Sequence, residues 1–235
     1  AIQLILGVAV GHWQRRRDEA STRLLAMGAG VFLARTILML AAVLARIGVA
    51  SSDVVLPPLE RFLHLTTIAL TVWAFLPILQ QATQLSTAGL IGTLVIAAGA
   101  YAAFAALWPG VEATDAAYNS HWQESVWEVS TVVILGLGIA ASLAWREGQW
   151  GWLACLLGVW LAGHSLQLAS PIADADSPAW VRLADLAAMP LLAGLAFRQA
   201  LTSTPILVGE EKESKETTLG AVAMLRAVRQ VDDEG

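Results

Sequence analysis

The sequence predicts an all-α fold: a polytopic membrane helix bundle of seven transmembrane helices, the first truncated, with the amino end outside. Of the 235 residues, 57% are hydrophobic and only 14% are charged, against about 25% charged in a soluble domain. Ten Trp against two Tyr fit this class, because Trp collects at membrane interfaces. The third observation is a series of apolar runs separated by short polar connectors, most of them long enough for a spanning helix of about 20 residues.

The first apolar run, residues 1–12, is too short to span and is followed by Arg15, Arg16 and Arg17. A signal peptide carries its positive charges before the apolar run, so we interpret this run as the inner end of a truncated helix. Six longer runs follow at 21–48, 56–80, 87–108, 125–145, 150–170 and 179–200. Together with the first run they give the seven predicted spans.

Prolines mark several of the predicted helix ends. Pro57 and Pro58 are expected to open the third span, as is typical of Pro at a helix start. Pro109 is expected to close the fourth span and Pro171 the sixth. Pro77 lies inside the third span and predicts a kink there, which membrane helices tolerate.

The charges of the short connectors predict the orientation. Three arginines at 15–17 flank the first connector and Arg146 lies in the fifth, whereas the connector 109–124 carries acidic residues and neither Lys nor Arg. Positive connectors favour the cytoplasm. The pattern therefore predicts an amino end outside and a cytoplasmic carboxyl end.

Two domains are expected: a seven-helix transmembrane domain over residues 1–200 and a cytoplasmic connector over residues 201–235. Thr202–Glu216 is polar and charged, and Leu219–Val231 has apolar residues spaced by three, as in a short amphipathic helix. We expect the chain to continue from this connector into an output domain.

Ionisable and polar residues in four spans fall at one depth near the outer surface. They lie in the first two turns of the third, fifth and seventh spans, which enter from outside, and in the last two turns of the sixth, which runs outward. Ionisable residues at membrane depth are costly and usually functional, so the pattern predicts an outward-opening polar pocket for an unknown small molecule. The candidate ligand-binding residues are Glu60, Arg61, His64, Glu128, His164, Gln167, Arg182 and Asp185.

Structural roles stay open for the same residues. Arg182 can extend its charged end to the headgroups, and His64 can be a hydrogen-bonded packing residue. Glu124 either shares a helix face with Glu128 or lies in the preceding loop. Arg35 lies deeper, and we expect it to pair with a carboxylate or a backbone carbonyl.

An aromatic stretch before and within the fifth span is a candidate lid over this layer. Its residues are Tyr118, His121, Trp122 and Trp127. Trp and Tyr also anchor helices at membrane interfaces, so anchoring remains the alternative role.

The chain lacks the signatures of several chemistries. It has no Walker loop, no G-x-G-x-x-G and no H-E-x-x-H, and its negative charges are scattered, which gives no indication of a nucleic-acid partner. Cys155 lies alone in an apolar run, so no disulfide or zinc framework is expected. We expect no cofactor; the alternative is haem or a metal held by His64 and His164.

Several short segments resemble the sensor regions of multidomain bacterial sensor histidine kinases. They are Pro57-Pro58-Leu59-Glu60-Arg61, Trp73-Ala74-Phe75-Leu76-Pro77, and Ser120-His121-Trp122 followed by Trp127. The resemblance implies a receptor of a two-component system in the bacterial inner (plasma) membrane, coupled as a homodimer to a cytoplasmic output domain. No phosphoacceptor-histidine motif or ATP-binding box is present, so we expect no enzymatic activity from this chain.

Two other functions remain as alternatives. A haem- or metal-binding redox protein would depend on His64 and His164, and a small transporter would show repeated halves and broken helices at mid-membrane. Visible absorbance separates the first alternative from a sensor, and substrate flux into proteoliposomes separates the second.

Overall fold

The computed structural model describes residues 1–112, 117–172 and 175–202. Within these residues the chain forms eight α-helices and one 3-10 turn, so the all-α prediction is confirmed. The elements are α1 (Ile2–Arg16), α2 (Glu19–Arg46), α3 (Ser52–Phe75), α4 (Pro77–Gln81), α5 (Thr83–Glu112), the 3-10 turn (Tyr118–Ser120), α6 (Trp122–Ala144), α7 (Trp150–Ala169) and α8 (Ala179–Thr202). The predicted amphipathic helix Leu219–Val231 lies outside the described residues.

Five helices, α2, α5, α6, α7 and α8, are long and apolar enough to cross a membrane. Their outward faces carry large apolar side chains; Met39 is 70% exposed, Ile96 74% and Leu186 75%. Exposed apolar surface on this scale belongs against lipid or a partner rather than water. The chain is therefore a multi-pass helical membrane protein, and the span prediction is confirmed for five of the seven segments.

The two other predicted spans differ from these five in length or polarity. The 15 residues of α1 fall short of the about 20 that cross a bilayer. The helix α3 is 24 residues long but carries Glu60, Arg61 and His64. It is nevertheless the most enclosed helix among the described residues, with 15 buried positions, and it packs against α2, α5 and α6. Its polar residues are thus held inside the bundle.

An apolar core fills the half of the bundle away from these polar residues. Met27, Ile68, Leu135, Leu157 and Leu192, from five different helices, are all fully buried. Burying each such side chain is worth about 1.5–3 kcal/mol relative to exposure in water. This cluster supplies the largest share of the apolar packing, and two smaller apolar clusters pack near the polar end.

Gly163 sets the closest approach of α7 to α8. A Cβ built at this position would lie 2.5 Å from the Ala184 Cβ and 3.1 Å from the Trp180 carbonyl oxygen. Small residues at such crossings let membrane helices pack backbone to backbone. A larger side chain at Gly163 would therefore push α8 away from α7.

The prediction that Pro57 and Pro58 open a helix is wrong, because α3 begins five residues earlier, at Ser52. A proline inside a helix removes one N–H and leaves the carbonyl four residues earlier without its helical donor. For Pro57 that carbonyl belongs to Asp53, and the buried indole Nε1 of Trp108 donates to it at 2.7 Å. Pro109 likewise does not close its helix, since α5 continues to Glu112.

Pro77 breaks the third predicted span rather than kinking it. Leu76 has an extended backbone (ψ 117°), and Pro77 starts the short helix α4. The break leaves the Trp73 carbonyl without a helical donor. The guanidinium of Arg23, 2% exposed, donates to the carbonyl oxygens of Trp73 at 3.3 Å and Leu79 at 2.9 Å. A side chain of α2 therefore stabilises the broken end of α3.

We predict that Trp108→Phe lowers the free energy of unfolding by about 1–3 kcal/mol, because it leaves the Asp53 carbonyl without its indole donor. Pro57→Ala supplies a backbone N–H to the same carbonyl. Trp108→Phe should therefore cost less in the Pro57→Ala background, a difference measurable as a double-mutant cycle in detergent.

The matched control is Trp122→Phe, because this indole is 53% exposed and should be nearly neutral to stability. Equal costs of Trp108→Phe in both backgrounds would contradict the role given to the Asp53 carbonyl.

Candidate functional site

The predicted polar residues converge where α3, α6 and α8 begin and α7 ends. They surround a cavity of about 10 Å³, room for about one water molecule. Seven of the eight predicted ligand-binding residues line it; Gln167 does not, and its amide instead donates to Glu124 Oε1 at 3.1 Å. The cavity is lined by Arg35, Glu60, Arg61, His64, Trp127, Glu128, Thr131, His164, Pro178, Val181, Arg182 and Asp185.

Arg61, 4% exposed, joins α3 to α6 and to the two loops at this end of the bundle. Its Nε donates to Glu124 Oε2 at 2.7 Å, and its Nη2 donates to Asn119 Oδ1 at 2.7 Å. Its Nη1 donates to the Asp176 backbone oxygen at 2.8 Å, and its guanidinium lies 4.9 Å from the ring centre of Tyr118. Each donor atom of this guanidinium thus has an acceptor in the protein.

A bidentate ion pair connects α3 to α8. Arg182 donates from Nε to Glu60 Oε1 at 2.7 Å and from Nη2 to Glu60 Oε2 at 2.8 Å. This fork geometry fixes orientation as well as distance. The Arg182 side chain is 56% exposed while that of Glu60 is 10% exposed, so the pair forms the accessible edge of the site.

Asp185 of α8 receives contacts from three other helices. Arg35 Nη2 on α2 donates to Oδ2 at 2.5 Å, and Trp160 Nε1 on α7 donates to Oδ1 at 2.9 Å. His64 Nδ1 on α3 lies 3.5 Å from Oδ2. The expectation that Arg35 pairs with a carboxylate is confirmed. One carboxylate therefore connects α8 to α2, α3 and α7.

Two buried histidines face each other across the cavity. Their ring centres are 4.9 Å apart; His64 is 6% exposed and His164 3%. His164 Nδ1 lies 2.6 Å from Glu128 Oε2, as His64 Nδ1 lies near Asp185. The Nε2 atoms of both rings are buried and have no hydrogen-bond partner. Each imidazole is thus oriented by a carboxylate and keeps one nitrogen free.

The observed spacing of the two histidine rings is too small for both of them to ligate one haem iron. Two imidazoles on opposite faces of an iron, with metal–nitrogen distances of about 2 Å, hold their ring centres about 6 Å apart, wider than the 4.9 Å seen. Among the described residues, no group of three or more His, Cys, Asp or Glu is arranged to hold a metal ion. A single small cation between the rings is the remaining possibility for ligation.

The predicted lid divides into two parts. Tyr118 and Trp127 pack against the site, and Trp127 Nε1 donates to the Tyr118 hydroxyl at 3.2 Å; burial raises the pKa of Tyr118 to about 12. Trp122 is 53% exposed and contacts Phe104, with ring centres 5.2 Å apart. His121 caps α6 and packs beside Trp122, and burial lowers its pKa. His121 and Trp122 therefore do not cover the cavity.

Asn119, in the same loop as Tyr118, connects Arg61 to the segment before α8. It is 4% exposed, and its Nδ2 donates to the backbone oxygens of Ile172 and Ser177, both at 3.0 Å. Asp176 Oδ1 accepts from the Tyr118 N–H at 2.8 Å. The available signal was the position of Asn119 inside the aromatic stretch, but nothing in the stretch indicated that Asn119 points inward.

A groove of about 360 Å³ lies between α2, α3 and α8. Its apolar wall consists of Leu38, Met39, Ala42 and Leu56. Its polar part consists of Arg35, Glu60, Arg182 and Asp185, which also line the small cavity. The same ion pairs therefore separate the enclosed cavity from an open groove.

We predict that Arg61→Gln costs about 3–5 kcal/mol of stability, because Glu124 is left as a buried carboxylate without its partner. The double variant Arg61→Gln with Glu124→Gln should recover a large part of that loss, since both charges are then absent. Unfolding in detergent, followed by circular dichroism, measures both values.

Arg15→Gln is the control for loss of an exposed arginine and should be near neutral. A double variant no more stable than Arg61→Gln alone would refute the pairing as the source of the cost.

Comparison with protein-family models, curated proteins and solved structures finds no match to this chain. The proposals below therefore depend on the geometry of the site and on the physical chemistry of its residues. The facts that bear most on them are the ion pairs of α8, the facing histidines and the size of the cavity.

Proposed function

We propose that this chain is the membrane-embedded sensory input module of a bacterial signal-transduction protein. It senses a ligand or a membrane state through the polar site and passes the change to a cytoplasmic output domain. The proposal includes seven spans, an amino end outside, a cytoplasmic carboxyl end, the inner membrane and a homodimeric assembly. The chain itself contributes no catalysis in this scheme.

The attachment of α8 at the site is the observation that carries this proposal. Arg182 is bound to Glu60 of α3, and Asp185 is bound to Arg35 of α2. The chain runs directly from the end of α8 into residues 203–235. A stimulus that favours one arrangement of these ion pairs over another changes the position of α8 by its differential free energy.

The two alternative functions have less support. Redox chemistry through a haem on His64 and His164 conflicts with the spacing of their rings. A transporter is expected to be built from repeated halves with broken helices at a mid-membrane site. The break at Leu76 separates α3 from α4, and the polar site lies at the other end of α3.

We predict that Asp185→Asn changes signal output by about fivefold or more, within the usual range of coupling between sites. The change leaves Arg35 without its carboxylate, so the balance of contacts on α8 shifts. The measurement uses residues 1–235 fused to an intact cytoplasmic output domain in cells, and Glu60→Gln tests the second attachment in the same way.

Asp53→Asn is the matched control, because it makes the same chemical change at an exposed position on α3. Normal output from both Asp185→Asn and Glu60→Gln, at wild-type protein levels, would overturn the sensor proposal.

We predict that a cysteine at Ser120 reacts with a membrane-impermeant maleimide in intact cells. Ser120 is exposed at the beginning of α6, and Glu147 lies beyond the other end of that helix. A cysteine at Glu147 should react only after permeabilisation, since the positive-inside rule places Arg146 in the cytoplasm. Both variants carry Cys155→Ala, and the reverse labelling pattern would invert the topology.

A further inference from the structure

The charges buried in the site do not cancel. Three arginines neutralise three carboxylates: Arg182 pairs with Glu60, Arg35 with Asp185, and Arg61 most closely with Glu124, while its Nη1 also lies 3.7 Å from Glu60. Glu128 is the fourth carboxylate, and it has no arginine partner among the described residues. It is 1% exposed, and its contact in the site is His164 Nδ1 at 2.6 Å.

One positive charge is therefore missing beside Glu128. An ionised carboxylate away from water, without a cation, costs so much that such groups acquire a proton or a partner instead. The imidazole of His164 is placed to supply that partner, because a protonated ring donates from Nδ1 to Glu128. Its Nε2 then carries a second proton, with no acceptor from the protein.

His64 provides the nearest group that can share this proton. Its ring centre is 4.9 Å from that of His164, and its own Nε2 is buried without a partner. Both rings line the same cavity, whose volume of about 10 Å³ fits about one water molecule. The cavity that both rings line therefore has room for a water molecule that can carry a proton between them.

We infer that His64 and His164 form a binding site for one exchangeable proton, held against the charge of Glu128. This inference rests on the proposed sensor function and names its stimulus, which is acidification on the side to which the site opens. A proton brings the net charge of the buried groups from −1 to zero. A divalent metal ion would bring it to +1, and the cavity is too small for an organic ligand.

Protonation changes the contacts of α8 through Asp185. A positive charge on the histidine pair attracts Asp185 toward His64 Nδ1, which lies 3.5 Å from Oδ2. The charged histidine then competes for Asp185 Oδ2 with Arg35, whose Nη2 lies 2.5 Å from the same oxygen. When both histidines are neutral, Asp185 stays paired with Arg35. Helix α8 is therefore held to α2 at high pH and drawn toward α3 at low pH.

The other charged groups facing the pair set the sign of this effect. Arg61 of α3 and Arg182 of α8 oppose a further positive charge, but each already shares its charge with a carboxylate, Glu124 of α6 and Glu60 of α3 respectively. Glu128 is the carboxylate beside the histidine pair whose negative charge is not neutralised by an arginine among the described residues. Falling pH therefore favours uptake of one proton, and rising pH removes it.

Solid-state nitrogen NMR of the full chain in lipid, with ¹⁵N-labelled histidine, tests the inference directly. The chain has four histidines, and His12→Gln and His121→Gln remove the signals that do not belong to the pair. Between about pH 4 and pH 9, the range in which histidines titrate, the signals of His64 and His164 should move together through one transition that accounts for one proton.

Variants of Glu128 identify the source of the proton affinity. Glu128→Gln should move the midpoint of the transition to lower pH by about one unit, a tenfold loss of affinity, because it removes the negative charge that favours the protonated ring. Glu128→Asp keeps the negative charge and should keep the midpoint near its original pH. Glu147→Gln makes the same change as Glu128→Gln at an exposed position and should leave the midpoint unchanged. Circular dichroism verifies that each variant is folded.

Three results would overturn the proton site. The first is that both histidine rings stay neutral at every pH, and the second is that Glu128→Gln leaves the midpoint unchanged. The third is one equivalent of transition metal in the purified chain. The NMR measurement requires no output domain, so it is independent of the signalling test. A joint transition in a chain whose fused output does not change with pH would preserve the proton site and refute acidification as the stimulus, whereas the Asp185→Asn and Glu60→Gln variants test the sensor function itself.

Discussion

Lipid offers no hydrogen-bond partners, so a backbone group at membrane depth in this bundle is costly unless the protein supplies one. This constraint explains features that otherwise look unrelated. The carbonyl that Pro57 deprives of its helical donor receives the indole N–H of Trp108. The carbonyl that Pro77 deprives of its donor receives the guanidinium of Arg23. In both places an irregular helix persists because a side chain from another helix replaces the missing backbone donor.

The same constraint explains why α3, a long helix that carries several ionisable residues, is also the most enclosed of the described helices. Glu60, Arg61 and His64 would be costly on a surface that faces lipid. Inside the bundle each of them meets a group of opposite charge: Arg61 meets Glu124 of α6, and Glu60 and His64 meet Arg182 and Asp185 of α8. The chain thereby divides into an apolar half, which supplies packing, and a polar end, where geometry depends on charge and hydrogen bonding.

The sequence predicted the convergence of the charged residues because helix direction and depth follow from span order and connector charge. It could not predict the pairing. Arg61 lies 3.7 Å from its neighbour Glu60 but makes its short contact, 2.7 Å, with Glu124, a choice set by how α6 is rotated. The inward turn of Asn119 depends likewise on loop contacts. The outward position of Trp122 could not be predicted either, because an aromatic residue near an interface faces inward or outward with equal ease.

Helix α8 is the element whose position depends most on the polar end. Gly163 lets it approach α7, and apolar residues such as Leu192 hold its far half in the core. Its near half is held by Arg182 and Asp185, through ion pairs whose strength depends on the charge state of their surroundings. Apolar contacts respond little to such changes, whereas a buried ion pair gains or loses much when one charge is added nearby. In the proposed proton site, a change of one charge at the histidine pair would therefore act on the near half of α8, and the far half would serve as its pivot.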